Sequence, residues 1–224
     1  MKARKFLNFI LRILFRILLR CKIEGMENFP REGPVILMIN HINFLDPILI
    51  GALSPREVMM MAKREVLGYP LIGLFVRFYG VVPIRRGEVD RKALRRALET
   101  LAQREVLLIA PEGTRSHHGR LQKAKDGISY IALKTNAVIL PVAIWGQEEF
   151  FRNIRRFRPT KVNIKIGRPF RFLRPDRKLE REDLTRMTTE AMYVLASLLP
   201  PKYRGVYSDL ENATTNYIEF LEST

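Results

Sequence analysis

The stretch VILMINHINFLDP, residues 35–47, decides the fold. Residues 35–39 are five consecutive apolar positions with no polar face, too short for a globular helix. Such a run, with Asn40 closing it, reads as a strand covered on both sides. Pro47 then disfavours helical backbone at Asp46 and suits the first position of a helix, so a short helix is expected over 47–53 with Asp46 as its cap. Capping accounts for Asp46 but not for His41. A histidine just past the carboxyl end of a buried strand lies where open α/β sheets bind ligands. If 41–46 form a turn, the Asp46 carboxylate folds back on one imidazole nitrogen, and the other is left to act as a base without a serine.

Outward from this stretch, strand and helix alternate. Strands are expected at 57–63, 81–84, 106–110 and 138–144, and a half-exposed one at 161–166. Pro141 inside 138–144 points to an edge or a bulge. Helices are expected at 70–79 (closed by Gly80), 90–103, 126–135 and 179–199, the last stopped by Pro200 and Pro201. This alternation predicts an α/β fold, with a single largely parallel or mixed sheet flanked by helices. No internal repeat, low-complexity tract or long linker interrupts it. The single cysteine, Cys21, excludes an internal disulfide and a cysteine-built metal site, and fits a reducing compartment.

Among the 224 residues, Lys and Arg number 39 against 23 Asp and Glu, a net charge of +16. The excess sits in two places. Residues 1–22 hold seven Lys or Arg and no acid, and residues 151–178 hold eleven against the single Asp176. The remainder of the chain is close to neutral, so the charge is oriented toward something anionic: membrane lipid, nucleic acid or an acidic carrier protein. On a helix over 3–20, Asn8, Arg12, Arg16 and Arg20 form one stripe and apolar side chains cover the rest. That arc is wider than a surface helix needs. It is broken too often by charge to span a bilayer or to serve as a signal peptide. An amphipathic helix lying in the lipid interface is the expectation, with residues 1–22 as anchor, 23–207 as the main domain and 208–224 as a tail packed on it. Removal of residues 1–20 is expected to leave a folded domain.

A second candidate loop, PEGTRS at 111–116, again follows a buried strand. Gly113 lets backbone approach a ligand, Thr114 and Ser116 offer hydroxyls, and Arg115 offers a fork suited to phosphate. Glu112 can orient Arg115 or a substrate hydroxyl. GVVPIRR, at 80–86, delivers Arg85 and Arg86 at a strand end. His117 and His118 have no partner at metal-ligand spacing and read as loop residues. The chain lacks the Gly-x-Ser-x-Gly elbow of a serine hydrolase, the glycine fingerprint of dinucleotide binders and a P-loop. A non-enzymatic basic protein binding membrane or nucleic acid stays open as the alternative class.

HINFLD at 41–46, GVVPIRR at 80–86, PEGTRS at 111–116 and LPVA at 140–143 resemble, in order, the four motifs of the glycerolipid acyltransferases. The resemblance spans roughly residues 24–205 and is nearest the bacterial 1-acylglycerol-3-phosphate acyltransferases. It implies His41 as base and Asp46 as its partner. It further implies that Arg86, Glu112, Gly113, Thr114, Arg115 and Lys125 hold a phosphate-bearing acceptor, and that Pro141 and its neighbours line the acyl or acceptor pocket. The implied reaction moves an acyl group from acyl-CoA or acyl carrier protein to a lysophospholipid hydroxyl, giving phosphatidic acid. Glycerol 3-phosphate and a lyso-aminolipid remain as other acceptors. A thioester brings its own leaving group, so neither cofactor nor metal is expected. The expected partners are the phospholipid surface, through 1–22 and 151–178, and the acyl donor, rather than nucleic acid. The expected location is the cytoplasmic face of the cell membrane, peripheral or monotopic.

Overall fold

In the computed structural model, residues 2–68, 73, 76, 79–84 and 90–222 are described. Helix α1 (Lys2–Leu18) passes without a break into strand β1 (Leu19–Glu24). Next come β2 (Val35–Ile39), α2 (Leu45–Leu53), β3 (Val58–Met59), β4 (Met61–Lys63) and β5 (Val82–Ile84). The chain continues with α3 (Arg91–Ala102), β6 (Val106–Ile109), α4 (Gly127–Thr135) and β7 (Val138–Trp145). It closes with α5 (Phe150–Ile154), β8 (Thr160–Ile166), β9 (Phe170–Phe172), α6 (Arg181–Leu198) and β10 (Ile218–Phe220). Most of 70–79 lies outside the described residues, although Gly73, Val76 and Tyr79 are helical.

The apolar runs become the centre of the main sheet, whose order is β1-β8-β7-β2-β6-β3. β7, β2, β6 and β3 run parallel, β8 is antiparallel to β7, and β1 runs parallel to β8. The sheet is therefore mixed, as its reading as an α/β layer allows. β4 and β5 form a separate parallel pair. On one face Ile36, Met38, Leu107 and Ile139 pack under α3, α4 and α6 through Leu101, Ile128 and Leu195. On the other, Val35, Leu37, Leu108 and Val142 meet Phe15 of α1, Leu19, and Leu49 and Ile50 of α2. Apolar burial on both faces supplies the main favourable term for folding.

Three sequence expectations change. β7 is central, not an edge. Pro141 fits there because the strands on its outer side change over at that point: Ile139 faces Phe170 of β9 and Val142 faces Ile166 of β8. A proline, which has no N–H for a ladder bond, is tolerated at such a gap. The helix expected as an anchor over residues 1–22 ends at Leu18, since Leu19 already pairs with Thr160 in the sheet. Nor is it a separable appendage. Phe15 and Leu19 are buried in the core, and Arg12 donates to Ala52 O (2.6 Å) and Ser54 O (3.1 Å), covering the open carbonyl end of α2. Removing residues 1–20 would strip Phe15 and Leu19 from the core and cut the first two residues from β1.

The tail is held by Glu190 of α6, which accepts from Thr214 Oγ1, Asn216 N and Tyr217 N at 2.6–2.9 Å. β10 then pairs antiparallel with β9.

Candidate active site

At the end of β2 the backbone leaves the ladder, and Asn40 makes the exit clean. Its amide donates to Ile144 O and accepts from Ile144 N, both at 2.8 Å, standing in for one more peptide of the strand. His41 follows. The loop after β6 clamps its backbone from both sides: His41 N donates to Glu112 Oε1 (3.0 Å), and His41 O accepts from Ser116 N (2.7 Å). Glu112 Oε2 accepts from Gln122 N (3.0 Å).

α2 begins at Leu45, so Asp46 is its second residue and not its cap. Pro47 still falls in the first turn, where its missing N–H costs no intrahelical bond. The Asp46 side chain turns backward. Oδ2 accepts from Ile42 N (2.8 Å), Asn43 N (2.7 Å) and His41 Nδ1 (3.0 Å), while Oδ1 accepts from Gln147 Nε2 (2.7 Å). With every contact to this carboxylate a donor, the His41 proton on that edge belongs to Nδ1. Nε2 then keeps a free lone pair. Asp46 is fully buried, whereas His41 is in part open to solvent.

Gly113 has φ +70, and a Cβ added there would stand 3.2 Å from Cδ and Cε of Lys125. The glycine thus lets the Lys125 stem lie across the loop, with the whole residue still exposed. Lys125 N also donates to Pro111 O (2.9 Å), which ties the two segments. Thr114 and Arg115 are exposed on the same loop. Among the described residues neither Arg115 nor Lys125 is in an ion pair. Glu112 does not face outward with them. It is buried, and that burial pushes its carboxyl ionisation up against the opposing pull of the His41 and Gln122 donors.

The structure therefore gathers His41, Asp46, Glu112, Gly113, Thr114, Arg115 and Lys125 at one end of the sheet. It does not bring Pro141 there: Pro141 pairs with Met38, three residues before His41, and its ring lies beside Gly167 and Leu198. Arg85 and Arg86 fall outside the described residues. His117 and His118 are exposed loop residues, and no group of His, Cys, Asp or Glu fit for a metal occurs among the described residues.

Two residues escaped sequence reasoning: Asn40 and Gln147. The available signal was a polar amide at the end of each buried strand, one before His41 and one after Gly146. Phe44, inside the His41–Asp46 turn, stacks on Phe151 at 5.3 Å, so the basic segment begins against the candidate site.

A mixed α/β sheet with a His–Asp pair five residues apart and a basic loop at the ends of its parallel strands defines a class of protein with a carboxylate-steered imidazole at one end of its sheet. The chain belongs to the Acyltransferase family, whose model matches residues 20–145. It is 33% identical over 152 residues to the chloroplastic 1-acyl-sn-glycerol-3-phosphate acyltransferase LPAT1 of Arabidopsis thaliana, an alignment covering 64% of this chain and 42% of that protein. It is 30% identical over 131 residues to 1-acyl-sn-glycerol-3-phosphate acyltransferase of Borreliella burgdorferi, covering 58% and 52%. The chain thus spans about half the length of these curated relatives. The crystal structure of the 1-acyl-sn-glycerophosphate (LPA) acyltransferase PlsC from Thermotoga maritima superposes with a TM-score of 0.63 at 29% identity, covering 88% of this chain and 80% of that one.

Proposed function

We propose that this chain is a 1-acylglycerol-3-phosphate acyltransferase, moving a fatty acyl group from acyl-CoA or acyl carrier protein to the free hydroxyl of the acceptor and yielding phosphatidic acid. The observation that carries the reading is the 3.0 Å contact between His41 Nδ1 and Asp46 Oδ2, which leaves Nε2 as a base beside a basic loop. The hydroxyl gives its proton to Nε2 as its oxygen attacks the thioester carbonyl. A C–O bond forms, the C–S bond breaks, and the departing thiolate takes the proton from the imidazolium. Asp46 holds the ring and balances the charge it carries meanwhile. The chemistry calls for no cofactor or metal. Arg115 and Lys125, together with Arg86, supply cations for the acceptor phosphate. Gly113 lets it come close to the backbone.

The acceptor and the product reside in a bilayer, and the register supports docking at this end of the sheet. β8 starts where β7 ends, on the His41 side, and Thr160 at its start faces Leu19 at the end of α1. The exposed apolar row of α1, Phe6, Phe9, Ile10, Ile13, Leu14 and Ile17, therefore leads to the same end as the catalytic pair. No helix among the described residues is long and apolar enough to cross a membrane. We read the enzyme as peripheral or monotopic, on the cytoplasmic face.

The test supplies purified protein with a labelled acyl thioester and a panel of lyso-acceptors. His41→Ala should lower the rate by about 10²–10⁴-fold while vesicle binding persists. An unchanged rate would remove the reading and favour a non-enzymatic binder.

A further inference from the structure

Gln147 is fully buried, and its Nε2 donates to the one Asp46 oxygen that the turn itself leaves unserved, at 2.7 Å. The reverse amide orientation would set oxygen against oxygen, so the donor assignment follows from the network. Its own Oε1 is buried without a partner among the described residues. A buried orphan acceptor is costly, and here the donor end is what justifies the placement. The chain also spends a special backbone position to deliver it. Gly146 has φ +97, and a Cβ there would lie 2.3 Å from Lys161 O, so only glycine turns β7 sharply enough to send Gln147 inward. Through this contact the β7 end closes onto α2 across 101 residues of sequence.

We propose that Gln147 is a positioning residue for the acyl transfer: its amide fixes the Asp46 carboxylate so that the opposite oxygen stays aligned on His41. The proposal rests on the reading of His41 as base. The ionisable groups around it are Asp46 and His41 in front and Glu112 behind the His41 backbone. Beside it, Glu148 accepts from Tyr203 Oη (2.5 Å) and Gly146 N (2.7 Å), and Glu149 pairs with Arg152.

Gln147→Glu keeps the shape and makes the donor titratable. While the introduced carboxyl is protonated, its O–H can serve Asp46 as the amide does; once it ionises, two carboxylates face each other. The ratio of variant to wild-type kcat should therefore fall at least about 10-fold between roughly pH 6 and pH 9. Gln147→Met, close in volume but without a donor, should lower kcat roughly 10-fold or more with KM little changed and no such pH trend. Thermal melts check that both variants are folded. A flat ratio for Gln147→Glu, or full kcat in Gln147→Met, overturns the inference. Full activity in His41→Ala, run alongside, overturns instead the reading on which it stands.

Discussion

A glutamine at position 112 would offer one acceptor where the glutamate offers two. Glu112 serves His41 N and Gln122 N with separate oxygens, each at 3.0 Å, so Glu112→Gln leaves a buried N–H unpaired. That should cost about 1–3 kcal/mol of stability and loosen the backbone that aims the imidazole, lowering kcat. The carboxyl also leaves a mark on pH dependence. Burial raises its ionisation on folding. Such a group contributes stability below the free Glu value, about 4.3, and loses it as pH climbs through the raised value. Wild-type stability should carry a component that falls with rising pH across that window, and Glu112→Gln should lack it; urea melts at a series of pH values measure both. His41, Asp46 and the loop carrying Glu112 were legible from sequence because each follows a run too apolar to be anything but a buried strand. The inward turn of Glu112 was not. A Pro-Glu-Gly turn is polar either way, and only the neighbouring strand supplies the His41 N–H that claims the carboxylate.

Helix α6 shows the opposite sign at the scale of an element. Asp183, in its first turn, takes a bidentate pair of bonds from Arg177 (2.8 and 2.6 Å) and further bonds from Glu180 N and Tyr217 Oη, both 2.9 Å. Arg177 above all holds its carboxyl well below the usual range. A group depressed on folding contributes stability above its free value, about 3.9 for Asp, and loses it as pH falls toward the folded value. Asp183→Asn should therefore flatten the acid limb of the stability curve below about pH 4. It should also speed amide exchange across 214–220, because Tyr217 Oη then bonds a neutral amide in place of a carboxylate. The helix itself was readable from its apolar spacing and its proline stop. β1 was not: Leu19–Glu24 alternates a charged face with an apolar one directly after an amphipathic helix, and its identity comes from the open edge of β8. Pro141 misled for a related reason, since the gap between β8 and β9 is made by pairing far along the chain.

For the whole molecule, the proposed contact with lipid should have two separable parts. One is apolar. Phe157, 98% exposed at a left-handed turn between Arg156 and Arg158, lies just before β8 at the end of the sheet that carries His41, and the exposed row of α1 runs toward that end. Burying Phe157 in the interface is worth about 2 kcal/mol, so Phe157→Ser should weaken vesicle partitioning roughly 30-fold at any salt concentration. The other part is electrostatic. Arg152, Arg155 and Arg156 near an anionic surface contribute about 1 kcal/mol each, and their joint replacement by Gln should cost roughly 100-fold at low ionic strength and little at high. Both sets of residues are exposed, so melting temperatures should stay near wild type. Sedimentation with anionic and neutral vesicles across a salt series measures the two terms. Replacement of Ile13 and Ile17 by Ser tests the α1 row without touching Phe15, which the core needs. If partitioning is indifferent to all three changes while activity on detergent-dispersed acceptor is normal, this end of the sheet does not face the bilayer, and an acidic carrier protein becomes the ligand of the arginines to test next.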